Sequence, residues 1–192
     1  MEEASTHNPV IAIDEALLVA RAKQQRDAFA PLYITYFDRV YAYCYRRLGN
    51  PEEAADATSQ VFARAFEAIG TCRESSFRSW LFAIAHNVLV DAYRGHRFER
   101  PIDDVLDLHD RDPSPEELAI GRERSQSVAA LLARLPNEQR HVLELRLAGL
   151  TSKEIGGILG KHPNAIDQAQ YRAVQRLRQL TGTADPAMEG LR

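Results

Sequence analysis

Cysteine, tryptophan and long apolar runs are scarce in this chain of 192 residues. It has two cysteines, Cys44 and Cys72, and a single tryptophan. Two cysteines cannot build a disulfide framework or a four-cysteine metal site, so Cys44 is expected to be a small core residue. No apolar run approaches the ~20 residues of a membrane span, and the N-terminus lacks the basic start and apolar core of a signal peptide. These absences predict a cytoplasmic protein without membrane insertion.

Signatures of catalysis are missing as well. The chain contains no H-x-E…C-x-x-C metal signature, no phosphate-binding loop and no nucleophile motif. Its six histidines are scattered, and no pair stands at ligand spacing beside acids. We therefore expect no enzyme, with no catalytic residue, no metal site and no cofactor.

Charge and aromatic residues are distributed unevenly. Residues 98–118 sum to −6 and residues 119–180 to +5, within a net charge of −3. Fourteen of the fifteen aromatic residues lie between Phe29 and Phe98. This predicts two small domains joined by an acidic flexible linker. With the helical spacing of the apolar residues in both, the predicted fold is all-α. The expected parts are a disordered N-terminus at 1–12, a first domain at 13–98, a linker at 99–117, a second domain at 118–181 and a tail at 182–192.

Helical spacing of apolar residues predicts four helices in the first domain, over 14–26, 29–48, 52–69 and 77–97. In the third of these, the predicted inward stripe comprises Ala55, Ser59, Phe62, Phe66 and Ile69. A polar row lies away from that stripe. Such a row is either simply solvated or docks a partner, and its members are Asp56, Gln60, Arg64 and Glu67.

The fourth predicted helix combines a buried face with a strip of different polar groups. Asn87, Asp91 and Arg94 stand at i, i+4 and i+7, within about 60° of one another. An amide, a carboxylate and a guanidinium so placed could hold an unstacked nucleobase and its phosphate. An ordinary solvated helix face is the alternative. Arg73 and Arg78, in and after the preceding loop, are candidate phosphate contacts.

The second domain is predicted to contain a helix-turn-helix. Thr151 and Glu154 form a capping-box pattern, Gly160 marks the turn, and Pro163 opens a longer helix. Gly156 stands where the two helices could cross closely. Arg172, Arg176 and Arg178 can neutralise phosphates, and base edges in a major groove would be reached by Asn164, Ala165, Gln168 and Tyr171. Capping, spacing and local charge together favour DNA binding over an incidental helical hairpin.

Four blocks of the chain, in order, resemble the extracytoplasmic-function (group IV) sigma factors of the sigma-70 superfamily. Block 54–66 resembles the segment that docks on the polymerase clamp helices, and block 77–91 the segment that opens the −10 element. Blocks 135–146 and 149–160 resemble the −35-binding domain. The resemblance covers about Asp14 to Leu180, and residues 99–117 are too few for the extra domain of larger sigma factors.

The resemblance implies a function in promoter-specific transcription initiation. Core RNA polymerase, with its beta and beta-prime subunits, would be bound through Asp56, Ser59, Gln60 and Arg64. The −10 element would be captured and melted by the loop 71–76 and the polar strip, with the contacts Arg73, Ser76, Arg78, Asn87, Asp91 and Arg94. The −35 duplex would be read by Lys161, His162, Asn164, Ala165, Gln168, Tyr171, Arg172 and Arg176. The acidic linker would thread toward the polymerase cleft, and an anti-sigma factor is a further partner that the resemblance allows.

Three residues depart from the family pattern. Ser59 stands where glutamine is usual, with Gln60 one position later. His162 precedes Pro163 where a serine cap is usual, and histidine is a poor N-cap. Asp167 replaces a basic residue, so it would either repel phosphate or accept from a cytosine amino group. The alternative function is a stand-alone helix-turn-helix regulator that binds duplex DNA without polymerase.

Overall fold

The computed structural model describes residues 9–73, 77–99 and 128–181, with side chains for 15–73, 77–93 and 128–181. All regular elements in these ranges are helices. Several predicted parts lie outside the described residues. They are residues 1–8, the linker 99–117 apart from Glu99, the tail 182–192, Ser76 and the side chain of Arg94. The predictions made for them therefore stay predictions.

Four helices form an N-terminal module: α1 (Pro9–Gln24), α2 (Ala30–Leu48), α3 (Pro51–Ala68) and α4 (Phe77–Glu99). Helix α1 begins at Pro9 rather than at Asp14, because proline suits the first helical position, where its missing N–H leaves no bond unmade. Gly49, with φ of 72°, ends α2. The Asn50 side chain then caps α3 by accepting the N–H groups of Glu52 and Glu53. Helix α4 continues past Gly95 to Glu99.

Helix α3 turns a different face inward from the one predicted. Ala55 and Ser59 are exposed, so placing them in the inward stripe was wrong. The stripe was set from Phe62, Phe66 and Ile69, whereas α3 packs on both α2 and α4, which rotates its buried arc. That arc comprises Ala54, Ala57, Thr58, Val61, Phe62 and Ala65.

The C-terminal module contains a described helical stretch at 128–133 (α5), followed by α6 (Asn137–Leu147), α7 (Ser152–Leu159) and α8 (Pro163–Thr181). The predicted capping box is confirmed, because Thr151 and Glu154 satisfy each other's backbone N–H groups. Gly160 ends α7 at φ of 66°. Helices α7 and α8 therefore form the predicted helix-turn-helix.

Buried apolar residues of the two modules form one continuous cluster. Phe82 and Leu89 of α4 belong to it, and so do Leu145 of α6 and Ile155 of α7. The modules thus share apolar surface, and the C-terminal module has a second, smaller cluster that includes Leu132 and Leu143. None of the described helices is long and apolar enough to cross a membrane.

Candidate nucleic-acid interface

The outer face of α8 presents most of the residues predicted to read the −35 duplex. Exposed residues there and in the preceding turn are Lys161, His162, Asn164, Gln168, Tyr171, Arg172 and Arg176, whereas Ala165 is half-buried. The His162 imidazole Nδ1 accepts the Asn164 N–H at 3.3 Å. His162 therefore supplies the acceptor that a serine cap would supply. Lys161 pairs with Glu138 of α6 at 2.6 Å, an exposed contact that holds the turn against α6.

A polar network under this face joins α8 to α6 and α7. Arg146 of α6 donates to Gln170 Oε1 at 2.6 Å and to the Leu150 carbonyl at 2.9 Å. The same guanidinium pairs with Asp167 Oδ1 at 3.2 Å and contacts Ser152, whose hydroxyl also donates to Asp167. Asp167 is therefore anchored within the module, and its charge is offset by Arg146.

The polar strip of α4 lies on the surface of the N-terminal module. Asn87 and Asp91 are exposed, and Asp91 pairs with Arg64 of α3 at 3.2 Å. Exposed pairs of this kind contribute about 1 kcal/mol or less, so a ligand can compete for either partner. Trp80 is half-buried against the core, with its ring 5.8 Å from that of Phe77, which suits packing rather than base stacking.

The predicted polymerase-docking row is exposed on α3. Asp56, Ser59, Gln60 and Arg64 are all accessible, and the Ser59 hydroxyl donates back to the Ala55 carbonyl at 2.9 Å. Through the Arg64–Asp91 pair, this row adjoins the polar strip. Arg73, also exposed, lies in the segment between α3 and α4.

Arg78 lies elsewhere, at the contact between the two modules. Its guanidinium donates to both carboxylate oxygens of Glu154 at 3.3 Å, and both side chains are 22% exposed. In this arrangement Arg78 is neither with Asn87 and Asp91 nor open to a phosphate. It joins α4 to the first helix of the helix-turn-helix.

Glu144 of α6 is the most buried charged side chain among the described residues, at 0% exposure. It accepts from Arg140 Nε at 2.7 Å and pairs with Arg47 Nη1 of α2 at 3.5 Å. Arg140 also donates to the Arg46 carbonyl. The Arg47 guanidinium stacks on the Tyr93 ring, 5.2 Å from its centroid. Burial raises the pKa of the Glu144 carboxyl, and the charges of Arg47 and Arg140 oppose that rise.

Sequence reasoning missed this charged contact. The available signals were Glu144 inside the apolar run Val142–Leu145, and two consecutive arginines, Arg46 and Arg47, at the end of an aromatic helix. A charge inside an apolar run indicates a buried partner. Spacing along one helix cannot say which distant residue that partner is.

A histidine pair lies beside this contact. The rings of His86 and His141 meet edge to face at 5.8 Å. Burial, followed by the charges of Arg47, His86 and Arg140, lowers the pKa of His141 to about 4. The folded protein thus keeps His141 neutral, while the unfolded chain binds a proton below about pH 6.5. His141 therefore leaves the free energy of unfolding unchanged above about pH 6.5 and lowers it progressively as the pH falls from 6.5 toward 4.

His141→Gln is expected to remove that dependence. Between pH 7.5 and pH 5.0, the free energy of unfolding of the parent protein should fall by about 1–2 kcal/mol more than that of the variant. Urea unfolding of both proteins at the two pH values measures the difference. An equal fall in both proteins would show that His141 does not carry the effect.

The described residues contain no group of three or more His, Cys, Asp or Glu side chains that could hold a metal ion. Cys44 and Cys72 are both buried and form no disulfide, and burial raises the pKa of the Cys44 thiol to about 11. A thiol with so high a pKa is a poor nucleophile.

The described residues form two all-helical modules. One contains a capped helix-turn-helix, and the other carries an exposed amide and an exposed carboxylate on α4. These features define the class as a two-module DNA-binding protein. The chain matches the family models described as Sigma-70 region 2 over residues 32–99 and Sigma-70, region 4 over residues 125–177. It belongs to the extracytoplasmic-function RNA polymerase sigma factors.

Its relatives include two sigma factors of Streptomyces. It is 39% identical over 172 residues to the ECF RNA polymerase sigma factor BldN of Streptomyces coelicolor, covering 85% of this chain and 64% of the relative. It is 34% identical over 151 residues to the ECF RNA polymerase sigma factor ShbA of Streptomyces griseus, covering 72% of this chain and 79% of the relative. This chain thus spans about two thirds of BldN and more of ShbA.

Solved structures share the fold at lower identity. CnrH, solved in complex with the cytosolic domain of CnrY, superposes with a TM-score of 0.66 at 24% identity, covering 89% of this chain and 99% of that one. The sigma factor RpoE of Bartonella quintana, solved with the anti-sigma factor NepR, superposes with a TM-score of 0.64 at 19% identity, covering 82% of this chain and 98% of that one. With both modules matched to sigma-70 regions, the stand-alone regulator is not favoured.

Proposed function

We propose that this protein binds core RNA polymerase and directs it to promoters, reading the −35 element as duplex and melting the −10 element. The observation that carries the proposal is one chain holding both matched modules, each with an accessible polar surface of the appropriate kind. The outer face of α8 supplies amide, aromatic and basic groups for a major groove. The polar strip of α4 supplies groups for unstacked bases. The protein acts by binding and performs no covalent chemistry.

Promoter reading requires the modules to separate. The −10 and −35 elements are about 25 base pairs apart by their names, which is roughly 85 Å at 3.4 Å per pair. Arg78 and Glu154, which lie on the two modules, are 3.3 Å apart. One molecule in this arrangement cannot hold both elements, because B-DNA is stiff over such a length. We propose that the described arrangement is that of the free protein and that binding to polymerase opens it.

Partners follow from the same proposal. The docking row Asp56, Ser59, Gln60 and Arg64 would meet the polymerase, and promoter DNA is the second ligand. Since CnrH and RpoE were solved with CnrY and the anti-sigma factor NepR, we further propose an anti-sigma protein as a regulator. Reconstitution tests the main proposal: core polymerase plus this protein should give promoter-specific run-off transcripts from genomic fragments, and core alone should not. Absence of both transcripts and core binding would contradict it.

The double variant Asn87→Ala, Asp91→Ala tests the assignment of the polar strip. It should bind core polymerase and −35 duplex normally but form open complexes at least tenfold more slowly, because stacking and edge contacts of ~1–3 kcal/mol per base offset the cost of unstacking. Permanganate footprinting of the −10 region measures opening.

Asp38→Ala is the matched control, since Asp38 is an exposed carboxylate on α2 outside the strip. It should open promoters at the parent rate. Opening by the double variant at the same rate as this control would remove Asn87 and Asp91 from the site. The single variant Asn87→Ala leaves the Arg64–Asp91 pair intact. Slower opening by this variant would therefore come from a lost DNA contact and not from a disturbed docking row.

A further inference from the structure

Asp167 is the only acidic residue in α8, and it lies on the helix face that would meet DNA. A shallow depression on that face is lined by Asp167, Gln168, Tyr171 and Arg172. Tyr171 is 66% exposed, and the Asp167 side chain is 58% exposed. If α8 enters the major groove, this carboxylate faces the negatively charged DNA backbone.

Arg146 offsets the electrostatic cost of bringing the Asp167 carboxylate close to DNA phosphates. Its guanidinium lies 3.2 Å from Asp167 Oδ1, so the two opposite charges form a nearly neutral pair at the surface. Arg146 is itself fixed by Gln170 and by the Leu150 carbonyl. The pair can therefore approach phosphates without the repulsion that an isolated carboxylate would cause.

The two oxygens of the carboxylate are not equivalent. Oδ1 receives hydrogen bonds from Ser152 and Arg146. Oδ2 makes no hydrogen bond to any residue in the described ranges. Anchoring one oxygen holds the orientation of the group, and the other keeps its full capacity to accept. Such a pre-oriented acceptor loses little rotamer entropy on binding.

Major-groove chemistry selects the base that suits such an acceptor. Cytosine presents an N4 amino donor, guanine presents two acceptors, and thymine presents an acceptor and a methyl group. Adenine offers a donor, but beside the N7 acceptor, which an ionised carboxylate cannot match. Asp167 is the fifth residue of α8, counted from Pro163, and the first turns of a recognition helix are those that reach base edges.

We propose that Asp167 reads the amino group of a cytosine and thereby selects a C·G pair at one position of the −35 duplex. This inference rests on the proposed function, since it requires α8 to enter the major groove of a promoter. Ser152 and Arg146 act as positioning residues, because they hold the carboxylate and do not touch the base.

Selection from a randomised duplex pool tests the proposal. Holoenzyme made with the parent protein, Asp167→Ala, Asp167→Asn or Arg172→Ala is incubated with promoters randomised over the −35 region, and retained DNA is sequenced. The parent should enrich cytosine at one position, and Asp167→Ala should lower that enrichment roughly fivefold or more while the other positions keep theirs. Asp167→Asn should move the preference there toward adenine, the base that an asparagine amide pairs with. Arg172→Ala should weaken retention of all sequences alike.

Two results would overturn the inference. In the first, Asp167→Ala enriches the same sequences as the parent. In the second, it weakens every position equally, as loss of a structural strut would. Asp167→Asn guards against a folding defect, since its amide oxygen can still accept from Ser152. Failure of the proposed function is separately visible, because the parent protein would then neither co-elute with core polymerase nor give transcripts.

Discussion

Replacing Glu144 with alanine should lower the free energy of unfolding by about 3–5 kcal/mol, the cost of breaking a buried ion pair by removing one partner. The side chain is fully buried between Arg140 and Arg47. Alanine would leave these guanidinium groups, and the neighbouring Arg46, without their counter-charge. Domains have only about 5–15 kcal/mol of stability in total, so the loss is a large fraction. The uncompensated arginines can regain water by separation of the modules.

Urea unfolding followed by two signals measures this effect. Far-ultraviolet circular dichroism reports helices of both modules, whereas fluorescence of Trp80, the single tryptophan, reports the N-terminal module. In the variant the circular dichroism transition should begin at lower urea than the Trp80 transition. Glu138→Ala is the control on the same helix, because Glu138 is an exposed glutamate paired with Lys161 and should cost less than about 1 kcal/mol. Equal losses in the two variants would mean that the burial of Glu144 carries no special energy.

Gly156→Ala should disrupt the helix-turn-helix, while Gly157→Ala beside it should not. A Cβ on Gly156 would lie 2.5 Å from the Lys161 carbonyl oxygen, which is backbone and cannot rotate away. The Gly156 carbonyl also accepts the N–H groups of Gly160 and Lys161. The turn would have to move, at a cost of about 1–3 kcal/mol beyond the gain in helix propensity. Gly157 has nothing within 4 Å of an added Cβ, so alanine there should stabilise the protein by about 0.5–1 kcal/mol.

Thermal unfolding and −35 binding distinguish the two variants. Helix α8 begins at Pro163, directly after the displaced turn. Gly156→Ala should therefore weaken −35 duplex binding by the holoenzyme by at least the ~1–3 kcal/mol of one lost base contact. Gly157→Ala should bind like the parent. A Gly156→Ala protein with parent-like melting and binding would show that the turn relaxes without cost.

Local chemistry let the sequence alone determine which segments are helical and several of the helix ends. The capping box of Thr151 and Glu154, the left-handed Gly160 and the proline at the start of α8 act within three or four residues, so their order in the chain is enough. The resemblance of the four blocks, which led to the family, also depends only on sequence order.

The tertiary structure decided which side chains became buried, paired or free. Small residues such as Ala55 and Ser59 carry little information about direction, so the rotation of α3 followed from its packing on α2 and α4. The Arg78–Glu154 pair joins residues 76 apart, and Glu144 meets Arg47 across 97 residues. For Asp167, the sequence left repulsion or base reading open, and the neighbours brought from α6 and α7 supplied the counter-charge. Contacts between distant elements depend on how helices pack in space, and spacing along one helix carries no record of that.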